Sequence, residues 1–293
     1  MDRKFLGWIL FFFLAGVWGS SFILMKRGLQ TFSSQQVAAL RIFVAFLAII
    51  PFAFTHLRKE HLKYWKAFAV MGILGNFIPA FLFTKAETVI SSALAGMLNS
   101  LTPLFTLLFG FIFFGVKPSR NQVIGISMGF AGAIGLLINV DANVNTQNSF
   151  WYAMMVVVAT VFYGISLNTI RKNLQEVNAV TATVWAMSII GPMAGAYLFS
   201  TDFTQKFVTM PKVWSSLGYV CILGIVGTSI SVIFFNILIK QSGVLFASSV
   251  TYLIPVVAVF WGVADGENIQ LIHFLWISII LTGVYLVNRK TYT

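Results

Sequence analysis

The chain reads as an all-α polytopic membrane protein, with ten transmembrane helices in two inverted five-helix repeats, and three observations predict this. Of its 293 residues, 58% are hydrophobic and only 9% charged, with a mean hydropathy of +0.89. A soluble domain carries about 25% charged residues, so too little charge is left here for a water-facing skin. Stretches close to the ~20 apolar residues that span a bilayer recur ten times. The second half also repeats the first at nearly constant spacing.

The ten segments are 6–26, 34–54, 66–85, 91–114, 122–139, 150–170, 179–199, 215–238, 243–263 and 272–288. The first opens MDRKFLGWILFFFLAG, a basic start and apolar run like a signal peptide. The run continues to Met25 with no small-x-small cleavage site, which predicts a retained helix. Trp8 and Trp151 fall near span ends, where indole rings anchor at the interface. The fourth and ninth segments carry Pro103 and Pro255 near their middles, flanked by polar residues. Connections are short, and none leaves room for a soluble domain.

Pro103 and Pro255 are 152 residues apart. The same spacing relates Gly72 to Gly224, Gly75 to Gly227 (GILG and GIVG), Phe83 to Phe235 and Gly110 to Gly262. Nearer the start the spacing is 145, relating Gly19 to Gly164 and Lys26-Arg27 to Arg171-Lys172. The repeats therefore divide as 1–140 and 141–293, five helices each. An odd number of crossings sends the two halves through the membrane in opposite senses. Such architectures place a site near the midplane, at the repeat interface. Proline within a span is tolerated where neighbours or water satisfy the freed carbonyl, here that of Asn99 or Thr251. Two polar, symmetry-related kinks therefore point to a cavity.

With a cytoplasmic N-terminus, 13 Lys and Arg fall on inside segments and five outside, with Arg41 alone within a span. The positive-inside rule then puts both termini in the cytoplasm. The net charge of +11 is explained without nucleic acid. The single cysteine, Cys221, excludes an internal disulfide.

WGSSF (Trp18–Phe22), ALRIFVA (Ala39–Ala45), KAETVISSALAGMLNSLTPLFTLLFGFIFFG and SGVLFASSVTYLIPVVAVFWGVADGE together resemble EamA-type transporters of the drug/metabolite transporter superfamily, over the whole chain and both repeats. The resemblance implies a bacterial inner-membrane carrier, usually an exporter of amino acids or other small metabolites, working by alternating access. The family's Gly-Glu pair at the end of the fourth helix of a repeat stands as Gly266-Glu267 in the second half but Gly115-Val116 in the first.

Arg41 is the one ionisable residue deep in a span, at a cost of ~2.5–3.5 kcal/mol on insertion scales. It reads either as counter-ion to a substrate carboxylate or phosphate, or as a packing residue bonded to the backbone. Trp18 and Tyr163 are near-equivalent across the repeats and either gate a cavity, stack on a substrate or pack. Asn76, Asn99, Asn168, Asn236 and Tyr252 complete the candidate set, each needing a polar partner at such depth. Ser21 is a weaker member, since a helical serine, like Ser20, bonds back to its own helix. Lys85 and Glu87 read as a solvated end-cap, with a proton relay through Glu87 as the alternative.

No acidic residue lies mid-span, which argues against an obvious proton or sodium relay. His56, His61 and His273 are scattered near span ends, and no P-loop is present, so neither metal nor cofactor is expected. The expected partners are a small-molecule substrate and membrane lipid, with a monomer as the working unit and no enzymatic activity. Two readings stay open beside the exporter: a facilitator or exchanger of another amphipathic metabolite, and an intramembrane lipid-modifying enzyme. The enzyme would have to find its acid–base groups among Glu87, Asp265, Glu267 and the loop histidines.

Overall fold

The computed structural model describes residues 3–115, 119–138 and 146–288, all helix and connection with no strand among them. Val116, Lys117, Arg289 and Lys290, which entered the repeat and charge arguments, lie outside the described residues, as do Asp2 and Asp141. The first crossing is α1 (Arg3–Gly28) and the second α2 (Ser34–His56). The third is α3 (Trp65–Gly72), a π-helical segment (Ile73–Phe77) and α4 (Ile78–Ala86). The fourth is split into α5 (Ser92–Asn99) and α6 (Thr102–Phe114), and α7 (Arg120–Ile138) is the fifth.

The second half follows the same plan: α8 (Thr146–Asn173), α9 (Ala179–Phe199) and, after the short α10 (Lys206–Thr209), α11 (Val213–Gly224). A π-helical segment (Ile225–Ile230) joins α11 to α12 (Ser231–Ser242). The ninth crossing is broken into α13 (Val244–Ser248), a 3-10 turn (Ser249–Tyr252) and α14 (Ile254–Ala264), and α15 (Leu271–Asn288) is the tenth. Nine spans among the described residues are at least 18 residues long and apolar enough to cross a membrane, with Leu271–Val287 a shorter apolar helix in the tenth place. The chain is a multi-pass membrane protein.

The pseudo-symmetry extends to details that no residue identity announces. Ser33 caps α2 by accepting from the Gln36 amide, and Asn178, 145 residues on, caps α9 by accepting from Val180. Both π segments begin one residue after the paired Gly72 and Gly224. A π turn strands the carbonyl that an α-helix would use. Asn76 Nδ2 donates to Met71 O at 3.1 Å, and Thr228 Oγ1 to Leu223 O at 3.2 Å. Donors and acceptors in these two bonds are equivalent at the spacing of 152.

The glycines that open these segments are required by packing. A Cβ on Gly72 would lie 2.9 Å from the Ala186 carbonyl oxygen, and one on Gly224 2.8 Å from that of Arg41. Ala186 and Arg41 are themselves equivalent, so the third crossing seats on α9 as the eighth seats on α2.

Pro103 and Pro255 do not kink continuous helices, as their mid-span positions had suggested. Each stands in the first turn of a new helix, where its missing N–H is no loss. The hydroxyls around the breaks satisfy freed carbonyls: Thr102 donates to Asn99 O at 2.8 Å and Thr251 to Ser248 O at 2.8 Å. The ends of α6 and α14 turn at Gly115 (φ 68) and, one residue past Asp265, Gly266 (φ 78), left-handed positions that suit glycine.

Helices α7 and α15 meet backbone to backbone. A Cβ on Gly283 would sit 2.5 Å from the Gly125 carbonyl oxygen, and one on Gly125 would collide with that of Gly283. Close approach through small residues is how helices associate where lipid removes the hydrophobic drive. Gly125→Val is expected to destabilise the detergent-solubilised chain by about 1–3 kcal/mol through overpacking. Gly218→Ala, where an added Cβ meets nothing within 4 Å, is the control. Comparison of thermal midpoints checks this, and equal midpoints would show that the α7–α15 contact does not limit stability.

Candidate functional site

Between the halves lies a cavity of about 130 Å³. It is lined from the first half by α1, α2, the third crossing and the break before Pro103, and from the second by α8, the eighth crossing and the break before Pro255. Seven of the nine side chains singled out from the sequence border it: Trp18, Ser21, Arg41, Asn76, Asn99, Tyr163 and Asn236. Pro103 and Pro255 stand just beyond, as the residues that break the two helices.

Two aromatic pairs form its walls. Trp18 meets Phe235 edge-on at 4.9 Å, and Tyr163 stacks on Phe83 at 6.1 Å. Phe83 and Phe235 are equivalent, and Trp18 and Tyr163 nearly so, so each half contributes one ring to each pair. Trp18 Nε1 donates to the Gly227 carbonyl at 3.0 Å, within the π segment, which fixes the indole plane. The repeat spacing pairs these two phenylalanines, but nothing in the sequence marks them as site residues.

Arg41 is the one charged residue in the lining. Its Nε donates to Thr228 Oγ1 at 2.8 Å, and Nη1 faces the Met25 sulfur at 3.9 Å, a weak contact. Nη2 has no protein acceptor among the described residues. The equivalent residue is Ala186, so only the first half supplies a cation.

The amides divide. Thr183 Oγ1 gives its proton to Ala179 O at 2.9 Å and must therefore accept from Asn236 Nδ2 at 3.1 Å. That fixes the amide with Oδ1 on the other side, where no donor among the described residues meets it, and Asn99 Oδ1 likewise has no partner among them. Asn168 does not reach the cavity: its Nδ2 donates to Thr106 O at 2.7 Å and Gly164 O at 2.9 Å, clamping α8 to α6. Tyr252 is also outside the lining, its hydroxyl donating to Val284 O at 2.6 Å to hold the ninth crossing against α15. Both are corrections to the site, because depth in a span gives no face. Ser20 and Ser21 donate to the carbonyls four residues earlier, Gly16 and Val17, at 2.8 and 3.0 Å.

One turn beyond the cavity, α1 ends in an ionic network. Lys26 Nζ pairs with Asp265 Oδ2 at 2.6 Å and Glu267 Oε1 at 2.8 Å, and Arg27 pairs with Asp265. Glu267 also caps α5, accepting from Ser92 N at 3.1 Å, Ser92 Oγ at 2.6 Å and Ala93 N at 3.0 Å. The Lys26 hydrogen bond leads in holding Asp265 below the ordinary carboxylate range. Burial works against Glu267, but the bonds from Lys26, Ser92 and Ala93 still hold it low. The network ties the ends of the first, fourth and ninth crossings together. Its signal in the sequence was the Gly266-Glu267 pair on the same side as Lys26-Arg27 in the charge map.

Glu87 overturns its reading as a solvated cap. It is 8% exposed while Lys85 is exposed.

A model of the EamA-like transporter family matches residues 6–138 and 150–289. The chain is 25% identical over 285 residues to the uncharacterised inner membrane transporter YedA of Escherichia coli K12, covering 94% of this chain and 88% of that protein. It is 26% identical to a probable amino-acid metabolite efflux pump of Salmonella typhimurium (92% and 90% covered). A probable terminal-alkyne amino-acid exporter of Streptantibioticus cattleyicolor is 20% identical (94% and 90%). A solved crystal structure at 18% identity shares the fold, with a TM-score of 0.66 over 97% of this chain and 96% of the other.

Proposed function

The chain belongs to the EamA-like transporter family, and from that premise we propose that it is a secondary carrier of the inner membrane that exports amino acids or related small metabolites by alternating access. It is a transporter and not an enzyme. Both termini lie in the cytoplasm, a monomer in lipid is the working unit, and the repeats 1–140 and 141–293 rock about the cavity.

The single observation that carries the substrate class is a guanidinium with a free edge in a cavity whose lining holds no carboxylate. A ligand with one anionic group neutralises it, and a planar carboxylate matches its fork. The partnerless carbonyls Asn99 Oδ1 and Asn236 Oδ1 suit an ammonium, and the two aromatic pairs suit an apolar side chain. The names of two relatives, an amino-acid metabolite efflux pump and an amino-acid exporter, support the same class. A facilitator or exchanger of another amphipathic anion is the second reading, favoured by the lack of a cavity carboxylate to carry a coupling cation.

The test is counterflow in proteoliposomes with amino acids and their decarboxylated amines offered in turn. Saturable exchange of at least one amino acid, with its amine silent, is expected. Silence of every amino acid, with the protein folded and inserted, would remove the amino-acid reading and turn the search to other anions.

A further inference from the structure

Glu87 follows α4 as its cap, one turn beyond the cavity residue Phe83, and both carboxylate oxygens are buried with no hydrogen-bond partner among the described residues. The charged groups around it are Lys26 from α1, Arg41 from α2 and Glu267 from the segment after α14. From α8, packed on α4, come Tyr163 and Tyr152, the latter with Lys85 Nζ over its ring at 5.8 Å. Neither nearby cation hydrogen-bonds Glu87 among the described residues, since Lys26 is engaged by Asp265 and Glu267 and Arg41 Nε by Thr228, although both cations favour its charged form through space. The end of α4 adds the negative pole of its own helix. An ionised carboxylate buried without a donor is costly enough that such a group takes up a proton instead. Burial first, and then the Glu267 carboxylate, raise its pKa well above the ordinary range.

We propose that Glu87 is a proton-binding site coupled to the outer gate: it holds a proton while the Lys26–Asp265–Glu267 network is closed and releases it to the outer side when the network opens. The proposal rests on the alternating-access reading above. Opening withdraws the Glu267 carboxylate, frees Lys26 and admits water, three changes that favour the charged form. The Glu87 O–H bond breaks to water on opening and re-forms on closing, one proton per excursion and no other reactant.

A carboxyl whose pKa is raised in the closed state favours closure fully below its ordinary value of about 4.3, and that preference is lost as pH rises through the raised value. Asp265 and Glu267, held low, stay ionised through neutral pH and do not contribute to this response.

The experiment measures the spin-label distance between Gln30→Cys and Asn268→Cys in a Cys221→Ser background. The full chain is held in lipid nanodiscs from about pH 5 to about pH 9. The wild-type gate is expected to shift from short to long distances as pH rises, by up to tenfold per pH unit, while Glu87→Gln stays short and insensitive. An infrared band of a protonated carboxylic acid at neutral pH, absent in Glu87→Gln, is the second readout and needs no movement. A pH response retained in Glu87→Gln overturns the proposal. Glu267→Gln separates the layers. If it opens while the wild type ignores pH, the proton site alone fails; if it also stays closed at every pH, the gate reading falls as well.

Discussion

Arg41→Ala lowers kcat/KM for an amino-acid substrate about 10- to 100-fold, the loss expected when a charge-assisted pair worth ~1.5–3 kcal/mol is removed. The same substitution is expected to leave membrane abundance unchanged, and the local bonding gives the reason. Thr228 Oγ1 keeps its own acceptor, Leu223 O at 3.2 Å, so no buried donor is stranded when the guanidinium goes. Removing a cation from the bilayer interior also relieves an insertion cost of ~2.5–3.5 kcal/mol. Arg41→Lys restores the charge without the fork, and about half of the lost free energy is expected to return. Counterflow rates normalised to protein in the vesicle decide it. Wild-type transport by the alanine variant would make Arg41 a packing residue, holding the eighth crossing through Thr228 and nothing more.

That alternative was already visible in the sequence, and its persistence shows where sequence reading stops. The ten crossings and their duplication were legible because lipid demands long apolar runs and because Pro103 and Pro255 recur at one spacing. The π segments were not, since GILG and GIVG suit an α-helix equally well. Only the distant Ala186 and Arg41 carbonyls make those glycines necessary. Trp18 and Tyr163 could be placed at the centre by pseudo-symmetry, but Phe83 and Phe235 had to be told apart from 28 other phenylalanines. Asn168 and Tyr252 sit at the right depth and face the wrong way, a distinction that depends on which helix is the neighbour. The sequence puts Glu87 at a helix end, and it caps α4. Its burial comes from packing against segments that the chain reaches far later.

Glu267→Gln is the second large effect: it opens the outer gate. Glu267 is the hub of that closure, with a side chain 5% exposed that serves Lys26, Ser92 and Ala93 at once. Breaking a buried pair typically costs ~3–5 kcal/mol. Lys26 is 37% exposed and keeps Asp265, so about 2 kcal/mol is the fitting scale here, or roughly 30-fold in the open-to-closed ratio. A cysteine at Ser21, in a Cys221→Ser background, is then expected to react about 30-fold faster with an impermeant thiol reagent added from the outer side. An unchanged rate would mean that closure rests on the apolar contacts between α1 and α14 and that the ions merely decorate it. The direction of the shift has a reason in the sequence. The equivalent position in the first half is Val116, so the chain carries this Gly-Glu lock at one end only, and loss of Glu267 is not offset by an equal loss at the other. The resting state therefore moves outward, which lowers affinity for substrate presented from the cytoplasm before it lowers the rate of the chemical-free steps that follow.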